Sequence, residues 1–356
     1  TLPAMRPSHI CLFAAFTIAL GACSGANAVE TTTTSTTVPS TTTTSTTRPP
    51  TTTTTTEPAG PVSPLNGLPA DDPTLLERGV LAVKIDNHWN ARPQSGIMEA
   101  DAVYELLVEA GLTRFISLFH DNDSDYLGPM RSGRPTDPTL LKPLGAIFAI
   151  SGAQDWVVSR IVGSGVHVIG EVRPATFRIS SRSAPHNLYV DTAQLRDYAA
   201  GRGYESEPPA DLFAWGDFEP TGTARHITLG FSPETTVVWD WDGERYVRTI
   251  NGVESQWMDK DGELGQISAD TLVVLFARRY TSSPPAGTSG SSVPAMDTVG
   301  SGRALVFAGG GLVEGTWTRD DIDHMFELTG PDDDQLTVPP GIPWISVFPD
   351  SRTVSW

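Results

Sequence analysis

Apolar and polar positions divide the chain into three stretches. The first apolar run, Ile10–Leu20, follows Arg6 and His9 and is eleven residues long. A bilayer-spanning helix needs about 20 such residues, so this run has the length of a secretory leader's apolar core. Residues 31–57 show no apolar periodicity: 18 of the 27 are Thr, with Pro39, Pro49 and Pro50 among the rest. Thr beside Pro buries too little surface to offset the entropy of ordering, so 24–60 is expected to form a semi-extended tether. From Pro61 onward apolar clusters recur as they do in a folded body.

Val80–Ile85 is apolar except for Lys84 and reads as a buried strand that stops at Asp86-Asn87-His88. Gln94–Ala100 has room for a short helix after Pro93. Two periodicities then compete. Ile97, Ala100, Val103, Leu107 and Ala110 fall near helical spacing, whereas Tyr104, Leu106 and Val108 alternate and face Thr113–His120 across Ala110-Gly111. The hairpin is the expected outcome. Gly145–Ser151 and Val166–Ile169 read as further strands. Asp155 reads as the cap of a short helix from Trp156, and Asp191 with Gln194 as a capping box for a helix ending at Gly201.

After about 205 the pattern changes. Thr236–Trp239, Tyr246–Ile250, Thr271–Ala277, Ala304–Ala308, Leu312–Trp317 and Trp344–Phe348 are short and rich in β-formers. Turns such as Asp242-Gly243 separate them. The Ser/Gly/Pro-rich stretch 281–302 reads as a mobile loop. The fold class expected is α+β: a mixed α/β N-terminal domain over 61–204, then a mainly antiparallel β C-terminal domain over 205–356.

Charge sharpens this picture. Lys and Arg number 24 against 42 Asp and Glu, a net −18, which disfavours a nucleic-acid partner. Residues 61–190 sum to −3 and 191–356 to −15, while 126–190 is locally +4 with Arg as six of its seven cations. Arg suits bidentate contacts to carboxylate or phosphate. The leader, residues 1–23, ends in Leu20-Gly21-Ala22-Cys23, which resembles the lipobox of bacterial lipoproteins. That resemblance implies cleavage before Cys23, its acylation and an extracytoplasmic protein anchored to the cell membrane by lipid. Cys11 lies in the leader and no cysteine follows Cys23, so the mature chain has no disulfide framework, thiol nucleophile or thiolate metal site.

Several motifs carry a wider likeness. They include Pro64-Leu65-Asn66-Gly67, Ile85-Asp86-Asn87-His88, Ala91-Arg92-Pro93-Gln94-Ser95-Gly96 and Ala100-Asp101-Ala102-Val103-Tyr104-Glu105. Gly128-Pro129-Met130-Arg131-Ser132-Gly133-Arg134-Pro135, His186-Asn187-Leu188-Tyr189 and Pro340-Gly341-Ile342-Pro343-Trp344-Ile345 follow in order. Together they resemble the DUF3048 family of YerB-like bacterial lipoproteins over nearly all of 61–350, with Met130 in place of a Val-like residue. The likeness implies a two-part architecture and an envelope location. It implies no reaction, because the family's biochemical function is not established.

Candidate chemistry is confined to a few places. Asp86-Asn87-His88 at a strand end suits a ligand site, or equally a turn closed by its own side chains. In Arg131-Ser132-Gly133-Arg134 two guanidinium groups stand beside backbone N–H groups, which suits an anionic ligand, with Arg114 joining from the hairpin. The competing arrangement pairs these Arg residues with Glu105 or Glu109. His186-Asn187 offers a general base or a ligand contact. Asp121-x-Asp123-x-Asp125 opens like a calcium loop but has Tyr126 where Gly is needed and Ser132 where Glu is needed, so it reads as an acidic turn. No Gly-x-Ser-x-Gly, Ser-x-x-Lys, His-Glu-x-x-His or Walker motif is present.

The expectation is a lipid-anchored envelope protein that binds peptidoglycan, another wall component or a wall-synthesis partner, rather than an enzyme. Asn87, Arg114, Arg131, Ser132, Arg134 and Asn187 are the candidate ligand contacts, and no cofactor or metal is called for. The alternative is an envelope enzyme on a carboxylated or phosphorylated substrate, with Asp86 or His186 as base and Arg131 and Arg134 holding the anion.

Overall fold

The computed structural model describes residues 60–356. The leader, Cys23 and the tether up to 59 lie outside the described residues. The first half contains strands β1 (Leu81–Asp86), β2 (Ala102–Leu107), β3 (Thr113–Phe119), β4 (Ile147–Ala149), β5 (Val168–Ile169), β6 (Thr176–Arg178) and β7 (Leu188–Val190). Its helices are α1 (Asp137–Leu141), α2 (Asp155–Gly163) and α3 (Thr192–Gly201). The second half adds β8 (His226–Ser232), β9 (Thr235–Trp241), β10 (Tyr246–Ile250), β11 (Thr271–Ala277), β12 (Gly300–Ala308), β13 (Gly311–Arg319), β14 (Glu327–Thr329) and β15 (Pro343–Pro349). Strands dominate over helices, and the fold is α+β.

A mixed eleven-stranded sheet runs β14-β13-β12-β11-β15-β2-β3-β1-β4-β5, with Gly222–Thr223 pairing beside β13. β15 lies between β11 and β2 and is parallel to both. Strands from before and after residue 205 thus share one hydrogen-bonded sheet. β1 and β2 both pair antiparallel with β3, and β4 and β5 continue parallel to β1. As a result β1, β2, β4, β5, β11 and β15 point the same way, and their carboxyl ends lie along one edge of the sheet. That edge is where α/β folds place ligand-binding groups.

The hairpin forms with Leu107 opposite Thr113 and Ala102 opposite Leu118. Its turn uses left-handed backbone at Ala110 (φ 56°) and Gly111 (φ 70°). Residues 97–99 make a single 3₁₀ turn rather than the longer helix expected from 94. Asp155 is the first residue of α2 and not its cap; Gln154 holds that position. At α3 the Asp191 carboxylate accepts the Gln194 N–H as expected, but the Gln194 side chain bonds that carboxylate and not the cap's N–H. The stretch 281–302 is not loop throughout. Arg279–Ser282 pairs antiparallel with Val293–Met296, and Gly300 already belongs to β12. Gln154 binds both the N–H and the carbonyl of Ser291, which ties the remaining loop to the start of α2.

Two apolar layers enclose the sheet. Val103, Leu107, Phe115, Leu272 and Trp344 pack against Ile227, Leu229, Phe231, Trp239 and Ile250 of the β8-β9-β10 sheet. On the other face Ala82, Tyr104, Leu106, Ile116 and Phe148 meet Leu140, Leu141, Trp156, Val157 and Ile161 of α1 and α2. Strand alternation sends Glu105 into the first of these layers, where it is fully buried. Its Oε1 accepts from Arg248 Nη2 at 2.7 Å and from Thr113 Oγ1 at 2.7 Å, and its Oε2 accepts from Trp344 Nε1 at 2.8 Å. Arg248 is also buried, lies over the Phe115, Trp239 and Trp344 rings and donates to Ser255. A buried carboxylate stripped of its cation is costly. Arg248→Met should therefore lower unfolding stability by about 3–5 kcal/mol, and Glu105→Leu combined with it should restore most of the loss. Urea denaturation of the two variants measures both steps, and an unchanged midpoint for Arg248→Met would contradict the role given to the pair.

Candidate functional site

The chain beside β1 is fixed first. Lys84 interrupts the apolar alternation of β1 and is fully buried, with Nζ 2.7 Å from Asp137 Oδ1, itself fully buried. Burial pulls the Lys84 pKa down to about 8, against the opposing pull of Asp137. Asp137 Oδ2 accepts the Arg134 N–H, and Arg131 N–H donates to the Lys84 carbonyl. Segment 131–137 is thereby held along the carboxyl half of β1.

Asp86 ends that strand and is buried. Its Oδ2 lies 2.8 Å from His186 Nδ1 and 3.2 Å from Arg131 Nε. Its Oδ1 accepts the His88 N–H at 3.2 Å and stands 3.9 Å from Arg114 Nε. His186 stacks on His88, with ring centroids 4.6 Å apart and 14° between planes. Burial lowers the His88 pKa below the usual imidazole value, and the adjacent His186 adds to the effect. The structure therefore gathers Asp86, His186, Arg131 and Arg114, drawn from β1, the 179–187 loop, the 128–135 segment and β3. Beside them Glu109, Ser132, Gly133, Arg134, Ser151 and Gly152 contribute to the lining of a cavity of about 330 Å³.

The other candidates turn inward. Asn87 is buried; it donates to Thr113 Oγ1 and accepts from Arg92 Nε and Gln94 Nε2. Asn187 accepts from Arg178 and donates to the Ile179 and Arg182 carbonyls. Arg134 pairs with Glu109 at 2.7 Å and also donates to the Ser132 and Gly133 carbonyls. The Ser132 carbonyl accepts from Arg114 as well. Of the two glutamates considered as partners for the Arg pair, Glu109 takes Arg134 while Glu105 takes Arg248, which lies on β10.

Arg131 stands apart from its neighbours. Arg92 donates to Asn87, Arg114 to Ser132, Arg134 to Glu109, and Arg182 to the Ala91 and Pro93 carbonyls. Among the described residues the Arg131 side chain donates no hydrogen bond. Its Nε–H is buried beside Asp86 without being aimed at it, and about a fifth of the side chain is exposed. Burial, followed by the repulsion of Arg134, lowers the Arg114 pKa to about 10, so it stays charged at neutral pH.

Lys84 with Asp137, Gln94 and Arg92 were not singled out as candidates from the sequence, and His88 entered only as part of the Asp86-Asn87-His88 motif. A lysine inside an apolar run was the visible signal for the first pair. In the acidic turn, Asp123 binds Arg78 and Arg196, Asp125 binds Lys260, and Asp121 accepts from Ser63. Among the described residues no group of three or more His, Cys, Asp or Glu side chains is placed to hold a metal.

Residues 65–205 match the family described as "Protein of unknown function (DUF3048) N-terminal domain", and residues 227–345 match the corresponding C-terminal domain. The chain is 26% identical over 313 residues to "Putative lipoprotein YerB" of Bacillus subtilis (strain 168), across 82% of this chain and 88% of that protein. It is also similar in fold to the crystal structure of YerB from Bacillus subtilis. That likeness has a TM-score of 0.70 at 24% identity and covers 83% of this chain and 99% of that one.

Among the described residues Asp86 is the one carboxylate paired with all three of Arg131, Arg114 and His186. Asp86→Asn should lower stability by about 1–3 kcal/mol, the range for removing a charged hydrogen-bond partner from a buried site. Chemical denaturation gives the change, and a variant as stable as the wild type would show that Asp86 does not organise the cluster.

Proposed function

From the membership of this chain in the DUF3048 family, we propose that it is an envelope lipoprotein, held at the membrane by acylated Cys23, whose folded body binds an anionic group of a cell-wall component at Arg131. The supporting observation is the state of the five arginines around the site. Four commit their donors to protein acceptors, and Arg131 alone has its guanidinium beside a buried carboxylate with no donated bond. A ligand carboxylate or phosphate accepting from that guanidinium makes charge-assisted hydrogen bonds without breaking existing ones. Asp86 offsets part of the positive charge when the site is empty and fixes the plane of the neighbouring His186.

The Asp86–His186 bond favours a second reading. A carboxylate that accepts from imidazole Nδ1–H leaves Nε2 as an acceptor, the arrangement of an oriented general base. Water would then be activated against a substrate held by Arg131. Recovery of the bound ligand unchanged after prolonged incubation separates the binding protein from the enzyme.

Sedimentation of the full chain with purified cell-wall sacculi tests the primary reading. Arg131→Ala should weaken co-sedimentation at least tenfold and Arg131→Lys less, while equal binding by wild type and Arg131→Ala would overturn it. Acidification should strengthen binding. His88 has a lowered pKa and is neutral at pH 7.5; acidification until it protonates adds a cation beside Arg131 and favours the anion-bound state. His88→Gln should remove that dependence. Cys23→Ala should move the protein from the membrane fraction to the soluble fraction, read by fractionation.

A further inference from the structure

Residues 191–356 hold 11 Lys and Arg against 26 Asp and Glu, so cations are scarce in the second half. Three of those eleven, Arg278, Arg303 and Arg352, line one cavity of about 470 Å³. It opens at the carboxyl ends of β11 and β15, which run parallel with Ala277 opposite Pro349. The neighbour of β11 on its other side, β12, is antiparallel, and the ladder between them stops at Leu275 opposite Ala304. One residue further on, the Phe276 carbonyl accepts the Trp317 indole N–H at 2.9 Å instead of a strand N–H. Gly302 lies opposite Trp317 in the β12–β13 ladder and makes that crossing possible, because a Cβ there would collide with the Phe276 oxygen and Trp317 Nε1. The sheet is therefore interrupted where a parallel neighbour on one side gives way to an antiparallel one on the other, at the strand ends where α/β sheets take ligands.

The lining also holds two acids, Asp297 and Asp350, and both act on the same cation. Arg278 Nη2 pairs with Asp297 at 2.8 Å. The bond and charge of Asp297, with a smaller part from Asp350, hold the Arg278 pKa above its usual value. Arg303 is fixed by Glu314, which lies outside the lining. Its Nε and Nη2 converge on one oxygen, Oε2, at 3.2 and 2.7 Å, and its guanidinium lies over the Phe276 and Trp356 rings. Arg303 Nη1 donates to no described residue. Arg352 sits in the turn that follows β15. That turn is anchored by the Asp350 N–H on the Ala277 carbonyl and the Arg352 N–H on the Pro349 carbonyl, each at 3.0 Å. The Arg352 side chain makes no hydrogen bond or ion pair among the described residues. The cavity thus has a neutralised cation in Arg278 and an unspent one in Arg352, with Arg303 as a second, braced donor.

We propose that this cavity is a second ligand site, which takes a small organic anion: a carboxylate or phosphate ester whose charge meets Arg352 and Arg303 and whose apolar body rests against Phe276, Val299 and Trp317. All five side chains line the one cavity, and its volume falls within the range of about 300–1,000 Å³ usual for small-molecule pockets. An anion accepting from Arg352 makes charge-assisted hydrogen bonds without displacing any that exist. A cationic ligand fits less well, because Asp297 is spent on Arg278 and Asp350 faces the same arginine. The site shares no residue with the Asp86–Arg131 cluster. In the sheet order β11-β15-β2-β3-β1, four strand steps lie between them, about 19 Å at the usual strand spacing.

Calorimetric titration at pH 7.5 tests the site in the full chain carrying Arg131→Ala, where the Asp86 cluster has lost its open cation. The probes are acetate, benzoate, inorganic phosphate and phenyl phosphate. Benzoate or phenyl phosphate should bind at least tenfold more tightly than the matching simple anion, and the tighter of the two names the anionic group. Adding Arg352→Ala should weaken that aromatic anion at least tenfold, and adding Arg352→Lys should weaken it less. Arg202 is also exposed but lies outside the cavity, so adding Arg202→Ala should leave binding unchanged. An aromatic anion bound equally with and without Arg352 would overturn the site. Equal losses from Arg352→Ala and Arg202→Ala would do the same, by showing attraction to surface charge alone. Aromatic and simple anions bound alike would remove the apolar walls from the assignment and overturn the ligand class. None of these outcomes involves Arg131, whose own reading is decided by comparing wild type with Arg131→Ala on sacculi.

Discussion

The carboxylate of Glu105 is the point through which this structure is tied together. It lies between two sheets where water cannot solvate it, so its charge is tolerated only because three donors converge on it. Those donors come from β3, β10 and β15, and the carboxylate itself from β2. One of them, Thr113, also accepts from Asn87, which carries the constraint to the turn beside Asp86. The floor of the site and the packing of the two sheets are therefore parts of one buried polar network. In a low-dielectric interior such a network specifies a geometry more narrowly than apolar contacts do.

The same principle explains how a chain of net charge −18 keeps a positive spot. Five arginines crowd around the Asp86 end of β1, and a cluster like this would repel itself apart without acceptors. Backbone carbonyls of Ala91, Pro93, Ser132 and Gly133 supply much of the acceptance without cancelling the charge. Among the described residues Glu109, Asp86 and the more distant Glu105 do so with negative charge. Backbone dipoles thus take up much of the donor capacity of these arginines without neutralising their charge.

Much of this was legible in the chain. The β2–β3 hairpin, the α3 start and the strands of the second half followed from alternation and capping, which are local signals. Sheet order was not legible, because β15 pairs with β2 through contacts that no nearby residue announces. The Ser/Gly/Pro content of 281–302 read as a mobile loop and missed the pairing of Arg279–Ser282 with Val293–Met296. Asn87 and Asn187 read as ligand groups because an amide in a polar motif looks the same whether it faces solvent or braces a loop. Asp86, His186, Arg114 and Arg131 were named from the sequence, and the geometry brings them together. His88 acquires meaning only from its stacking on His186, which spacing along the chain does not encode.

The position of β15 also bears on how the body comes into being. As the polypeptide emerges from its amino end, β2 can zip onto β3 at once, yet its opposite rim has no neighbour until the segment around Trp344 has been made. Arg248 can reach Glu105 earlier, but the indole that completes its coordination arrives nearly last. Through most of synthesis the nascent chain therefore exposes a strand rim able to pair with a foreign strand. Closure of the sheet is a terminal event, and a chain cut short before β15 would carry that rim permanently.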